Sequence, residues 1–331
     1  AMTVVDGAVQ KYSGVITVDS LDIKDATTSV TLDGAVTTQT TLDIDSGGTL
    51  TQNAKVDAGT SVDYDAVTIG VNESIKSGTT IDIDTSGNTT TIAAAGDINA
   101  GGAVTFGANK SGSVKTAGDI TTSGDITSSG DATLSAGGDV GIMDGTLSAV
   151  GIEIASGGGL TTTGTGLISS DTLTTTSVTG TDIATVVDTL SFANTGTGDV
   201  LVDNTGGMTV TGFNLGGFVD LMTHSPLTVG VSGVSSLGDI SLTAAGKAGA
   251  EDDNLTILGS VTSTSGNITQ FADDNIDQQA DVIASGGDVT ATTENGSITM
   301  SSGVITSADG SINFDSAGSI TASGDYIRSY N

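Results

Sequence analysis

A four-residue phrase of alternating polarity recurs near the start of this chain at almost constant spacing. It reads Leu21-Asp22-Ile23-Lys24, Leu42-Asp43-Ile44-Asp45, Val62-Asp63-Tyr64-Asp65 and Ile81-Asp82-Ile83-Asp84. Each copy begins nearly the same distance after the one before, at Leu21, Leu42, Val62 and Ile81. Alternation with period two is the pattern of a strand with one face buried and one in water. A strand that returns after so short and regular an interval belongs to a solenoid, in which each coil stacks on the one before. The expected fold is therefore all-β, a parallel β-helix (β-solenoid) of roughly 20 residues per coil.

Further strand candidates lie between the phrases: Val15-Ile16-Thr17-Val18, Val30-Thr31-Leu32 and Val67-Thr68-Ile69. Turn formers punctuate them at Gly34, Gly47-Gly48, Gly59, Gly70, Gly78 and Gly87-Asn88, which suits a three-sided coil with tight corners. From about residue 93 the idiom becomes Gly-Asp-φ, where φ is Ile, Val or Ala. Copies stand at Gly96-Asp97-Ile98, Gly118-Asp119-Ile120, Gly124-Asp125-Ile126, Gly130-Asp131-Ala132 and Gly138-Asp139-Val140. It returns at Gly198-Asp199-Val200, Gly238-Asp239-Ile240 and Gly287-Asp288-Val289, and with Asn or Ser at Gly266-Asn267-Ile268, Gly296-Ser297-Ile298, Gly310-Ser311-Ile312 and Gly318-Ser319-Ile320. The glycine can supply a positive φ at a corner, and the aspartate can accept hydrogen bonds from amides of the turn. Periodicity in both halves predicts one continuous solenoid over 1–331, elongated, with loop insertions near 212–226, 246–254 and 270–281. Insertions in solenoids often carry binding.

Composition narrows the function. The chain of 331 residues holds 49 Gly, 1 Pro, no Cys, no Trp and 3% aromatic residues. That is a poor supply for a spherical core, but enough for a thin column filled by Val, Ile, Leu and Thr. Eight Lys+Arg against 39 Asp+Glu give a formal net charge of −31, which repels nucleic acid and anionic lipid surfaces. No apolar run approaches the ~18 residues of a membrane-crossing helix, so membrane insertion is not expected. Lack of cysteine removes disulfides and thiolate metal sites together. The opening Ala1-Met2 reads as a remnant of cloning. The chain is thus expected to be an excised piece of a longer protein, with any secretion signal or anchor outside it.

The most concrete constellation is acidic. If the coils stack in register, Asp22, Asp43, Asp63 and Asp82 form one ladder, and Asp45, Asp65 and Asp84 form a second. Carboxylates about 4.8 Å apart repel by about 1 kcal/mol per pair in water-like dielectric, and a hard cation bridging them would relieve this. Oxygen-only sites suit Ca²⁺, and no other cofactor is expected. The alternative is a solvated acidic face whose register drifts. Asp273, Asp274 and Asp277, with Asp281, form a second cation candidate that lacks the glycine and terminal glutamate of an EF-hand loop. Threonine tracts at Thr37-Thr38, Thr89-Thr90-Thr91, Thr161-Thr162-Thr163 and Thr174-Thr175-Thr176 are unevenly spaced and read as strand surface.

Catalysis finds little support, and no catalytic residue is assigned. The pairs Asp252-Asp253 and Asp273-Asp274 are formal candidates for hydrolysis. Uronate substrates, however, ask for basic residues, and the chain has one arginine, Arg328, and seven lysines. His224, the one histidine, has no nucleophile motif beside it.

The run Gly118-Asp119-Ile120-Thr121-Thr122-Ser123-Gly124-Asp125-Ile126, with Ala136-Gly137-Gly138-Asp139-Val140 and Ser285-Gly286-Gly287-Asp288-Val289-Thr290, resembles the repeats of filamentous-haemagglutinin-like exoproteins. These are bacterial surface adhesins exported by two-partner secretion or as autotransporter passengers. The resemblance covers residues 93–145 and 236–326 best. It implies a right-handed parallel β-helix, an extracellular or cell-surface location, and a structural and adhesive role in attachment or display. Partners would be a host or neighbouring-cell surface protein or glycan, or copies of the chain itself. The alternatives are a self-assembling filament, sheath or S-layer-like component and, behind it, a polysaccharide-active β-helix enzyme.

Overall fold

In the computed structural model the described residues are 2–85, 92–94, 96–100, 102, 104–107, 118–246, 253–323 and 326–329, with backbone alone at 5–8, 25, 92–94 and 326. Ala1, Gly87-Asn88, Thr89-Thr90-Thr91 and the 247–252 part of the expected loop insertion lie outside the described residues. The described residues form strands and turns with no helix, so none is long and apolar enough to cross a membrane. The chain divides into two compact units, Ala1–Asp171 and Thr172–Asn331, and each is a parallel β-solenoid.

In the first unit the strands Leu21–Leu32, Thr41–Gln52 and Ser61–Val71 stack in parallel, Leu21 opposite Leu42 and Leu42 opposite Val62. Their lengths exceed one flat face. Register shifts between Ile23 and Ala26, and between Ser46 and Thr49, mark where each bends into the next face. Three-residue strands Val36–Thr38, Val56–Ala58 and Ile75–Ser77 supply the remaining face. Farther on, the long strand becomes two, Thr80–Thr85 and Ile92–Ala94.

Alternation does what the sequence asks. The column Leu21, Leu42, Val62, Ile81, Val104, Ala132, Ile152 points inward and is buried at every turn. A second column beside it runs Ile23, Ile44, Tyr64, Ile83, Phe106, Leu134, Ile154. Burying each large aliphatic contributes about 1.5–3 kcal/mol, so two or three inward residues per strand hold a turn onto its neighbour, with Tyr64 and Phe106 the large aromatics of this column. Tyr64 is an exception in chemistry. Its side chain is fully buried and its Oη has no hydrogen-bond partner. Burial pushes the phenol pKa far up.

The second unit repeats the scheme with five-residue strands Val200–Asn204, Val219–Thr223, Ile240–Ala244, Ile268–Ala272 and Val289–Thr293 on one face. Val200, Val219, Ile240, Ile268 and Val289 stand in one buried inward column. Residues 212–226, expected as an insertion, instead run through the coil. They supply the end of Met208–Asn214 and all of Val219–Thr223, and the step from Val219 to its partner Ile240 is one ordinary turn. Residues 270–281 likewise fill a regular turn, the one that leads from Ile268 to its partner Val289. The sequence reading erred there because Phe and Asp clusters interrupt the local idiom without changing the inward alternation. The turn between Ile240 and its partner Ile268 is longer than its neighbours, and residues 247–252 within it lie outside the described residues.

Candidate functional site

The acidic columns form in register. Asp22 lies opposite Asp43, Asp43 opposite Asp63 and Asp63 opposite Asp82; beside them Asp45 lies opposite Asp65 and Asp65 opposite Asp84. Each aspartate sits between two inward residues of its strand, so the side chains face out by the same alternation that builds the core. At one end Lys24 Nζ stands 3.5 Å from Asp22 and 3.8 Å from Asp43. Partial burial holds the Asp43 carboxyl above the usual aspartate range; the charge of Asp63 adds to this, Lys24 opposes it, and Asp22 and Asp45 add smaller contributions. The far end of the second column closes on glycine. A Cβ on Gly107 would stand 2.0 Å from Asp84 Oδ1, so the carboxylate occupies the place of that side chain. The result is a row with one carboxylate per turn. Among the described residues no three acidic or histidine side chains converge as a metal cage would require.

The second acidic group is rearranged relative to expectation. Asp273 and Asp274 occupy the corner between Ile268–Ala272 and Ile276–Gln278. Asp274 Oδ2 accepts the Asp253 N–H at 3.0 Å, and Asp253 Oδ2 accepts the Gly246 N–H at 2.9 Å. Burial, followed by the charges of Glu294 and Asp253, pushes the Asp273 carboxyl pKa up. Asp277 is in the strand itself and accepts from Gln279 Nε2 at 2.7 Å. Asp253 and Glu294 therefore join Asp273 and Asp274, while Asp277 belongs to an outward column of the strand face. Asp252, the other half of one carboxylate pair, lies outside the described residues. His224, without a sequence neighbour of note, has Nε2 2.9 Å from Asp203 Oδ1, one turn away.

The Gly-Asp-φ corners put aspartate to a different use. Asp139 Oδ1 accepts the Gly159 N–H at 2.7 Å, and the Asp139 N–H donates to Asp119 Oδ1 at 2.8 Å. Asp125 accepts from Thr146 at 2.8 Å, Asp199 from Phe218 at 3.0 Å, Asp239 from Asn267 at 2.6 Å and Asp288 from Ser311 at 2.6 Å. The acceptor and donor are a whole turn apart, not in one turn as the sequence reading has it. Such charge-assisted bonds hold the corner amides that the strand ladder leaves unpaired.

Glycine completes the arrangement by shape. A Cβ at Gly158 would meet Asp139 Oδ1 at 2.1 Å, at Gly217 Asp199 Oδ1 at 2.2 Å, and at Gly310 Asp288 Oδ1 at 2.4 Å. The carboxylate of one turn sits over the glycine of the next. Among the described Gly-Asp-φ glycines only Gly198, at φ 93°, lies in the left-handed region. Buried serines add a third tie: Ser156 Oγ donates to Gly138 O at 2.8 Å, Ser263 to Gly238 O at 2.7 Å and Ser307 to Gly287 O at 2.9 Å.

Threonine also forms a row, but not where the tracts are. Thr189, Thr209, Thr228, Thr256, Asp277, Thr299 and Thr321 stack in register on one outward face of the second unit. They are isolated in sequence, and only their spacing by one turn could have shown the row. Comparison with protein-family models, with curated proteins and with solved structures gives no match to this chain.

Proposed function

We propose that the chain is a structural and adhesive β-solenoid of a bacterial surface or secreted exoprotein, a scaffold for attachment or display. The observation that carries the reading is the tie from each Asp corner to the amide of the following turn, repeated from Asp97 to Asp288. A chain built this way devotes its polar side chains to stacking turns and presents outward faces of Thr, Ser and Asp in each unit. The resemblance to filamentous-haemagglutinin-like repeats supports an extracellular setting, and the net charge of −31 supports partners other than nucleic acid.

The test couples the protein to beads and measures retention on cultured host cells and on a glycan array, with far-UV circular dichroism of the same sample. Retention that antibody against the chain blocks is the expected result. Beads that fail to adhere while the protein unfolds cooperatively as a β-structure would overturn the adhesive role. Scattering that grows with protein concentration would replace it with the assembly reading.

A further inference from the structure

One corner of the second unit departs from the repeat in a way that stacking does not require. The column that reads Asp199, Asp239, Asn267 and Asp288 in neighbouring turns carries Phe218 between Asp199 and Asp239. A few residues before it, the column Thr195, Leu215, Leu237, Thr264 carries leucine at its two middle positions. All three apolar side chains stand in solvent: Leu215 is 58% exposed, Leu237 44% and Phe218 37%. Phe213, on the outward side of the preceding strand, adds a second exposed ring. Two of the chain's six Phe are thus placed at the surface of a protein that is 3% aromatic.

The floor of this corner is fixed. A Cβ at Gly216 would stand 2.0 Å from Gly196 O, and one at Gly217 would stand 2.2 Å from Asp199 Oδ1. Gly216 and Gly217 alone separate Leu215 from Phe218, and Gly238 alone separates Leu237 from Asp239, so no side chain stands between them within a turn. Asp199 and Asp239 lie on either side of Phe218 along the column, each about one strand spacing away, ~4.8 Å. Each uses one oxygen on a backbone amide, Asp199 on Phe218 at 3.0 Å and Asp239 on Asn267 at 2.6 Å.

An aromatic face between two carboxylates, next to exposed leucines, matches a ligand that is cationic and apolar at once. A cation over a ring gains from its quadrupole, and the adjacent carboxylates supply the opposite charge. A hard metal ion has no use for the ring or the leucines, and a second copy of a chain at −31 would be repelled. We propose that Phe213, Leu215, Phe218 and Leu237, with Asp199 and Asp239, bind a basic amphipathic peptide segment of a partner protein. Its arginine or lysine head lies over Phe218 between the carboxylates, and its neighbouring aliphatic side chains lie on the leucines. This goes beyond the scaffold reading and rests on it only for the setting in which a partner is recruited.

The repeat supplies its own control substitutions, because neighbouring turns already tolerate the polar residues. Fluorescence anisotropy of a labelled synthetic peptide of alternating arginine and leucine, titrated with the full chain in physiological salt, measures the site. Phe218→Asp, which adds negative charge, is expected to weaken binding at least tenfold, and Leu215→Thr with Leu237→Thr to weaken it similarly. Equal or tighter binding by Phe218→Asp would mean that acidity alone attracts the peptide, and would overturn the proposal. So would wild-type preference for neutral oligosaccharides over the peptide. Circular dichroism checks that each variant folds, and the leucine pair keeps the test open if Phe218→Asp does not. Failure of cell adhesion leaves the peptide isotherm unchanged, so the two readings fail separately.

Discussion

Aspartate plays opposite parts in the two sets of columns. On the strand faces of the first unit, Asp22, Asp43, Asp63 and Asp82 stand in a row of like charge, and the Asp43 carboxyl pKa is raised by partial burial first and by the charge of Asp63 second. At the Gly-Asp-φ corners the same side chain is a connector, as where Asp139 reaches the Gly159 amide at 2.7 Å. The difference lies in what the next turn offers. A strand face presents the next turn with another carboxylate, while a corner presents it with an amide that nothing else satisfies. Net charge, therefore, says little about what an acidic residue contributes to a solenoid; its place on the coil decides.

Three measurements sharpen or break that contrast. The largest effect belongs to a corner: Asp139→Ala is expected to cost about 1.5 kcal/mol in chemical denaturation, because it strands the Gly159 amide. Asp139→Asn keeps an oxygen acceptor and should recover more than half of the loss. An alanine variant as stable as the parent would remove the connector role.

Tyr64 comes next, directly inward of the acidic row. Tyr64→Phe deletes a buried hydroxyl without a partner, and a gain of about 1 kcal/mol is expected; destabilisation would show that the hydroxyl is satisfied in solution.

The smallest effect is on the row itself. Asp43→Asn should raise stability by about 0.5 kcal/mol in low salt and by less as salt screens the charges. The pH dependence has a definite sign. Because the native pKa of Asp43 is raised, its contribution to stability is complete below the ordinary aspartate value and is lost as pH rises through the native one. Millimolar Ca²⁺, if it bridges the row, should raise the melting temperature of the parent more than that of Asp43→Asn. Equal shifts in both would remove the cation from this surface.

The fold was legible because its signal is local. Alternation in Leu42-Asp43-Ile44-Asp45 says which side is inward, and the return of the phrase says that turns stack. Register was legible too, since a slip of one residue would expose Leu42 and bury Asp43. Partnerships across turns were not. Nothing near Asp139 in sequence names Gly159, and nothing near Phe218 marks it as the occupant of an aspartate position; only alignment by whole turns does. The same holds for Asp253, which meets Asp274 a full turn later. Residues 212–226 misled for a related reason, because their Phe, His and Pro look irregular one by one while their inward positions keep the pattern.

The glycine beneath a corner carboxylate such as Asp139 has a consequence for how such a chain can change over time. Since Asp139 fills the space above Gly158, the two residues form one lock whose halves are encoded a whole turn apart. A lone replacement of the glycine damages a neighbour that still carries its carboxylate. Duplication or loss of a whole turn, by contrast, joins a complete half to a complete half. Lengthening and shortening by entire turns is then the gentlest path of variation open to the gene, and substitution at the joints the harshest.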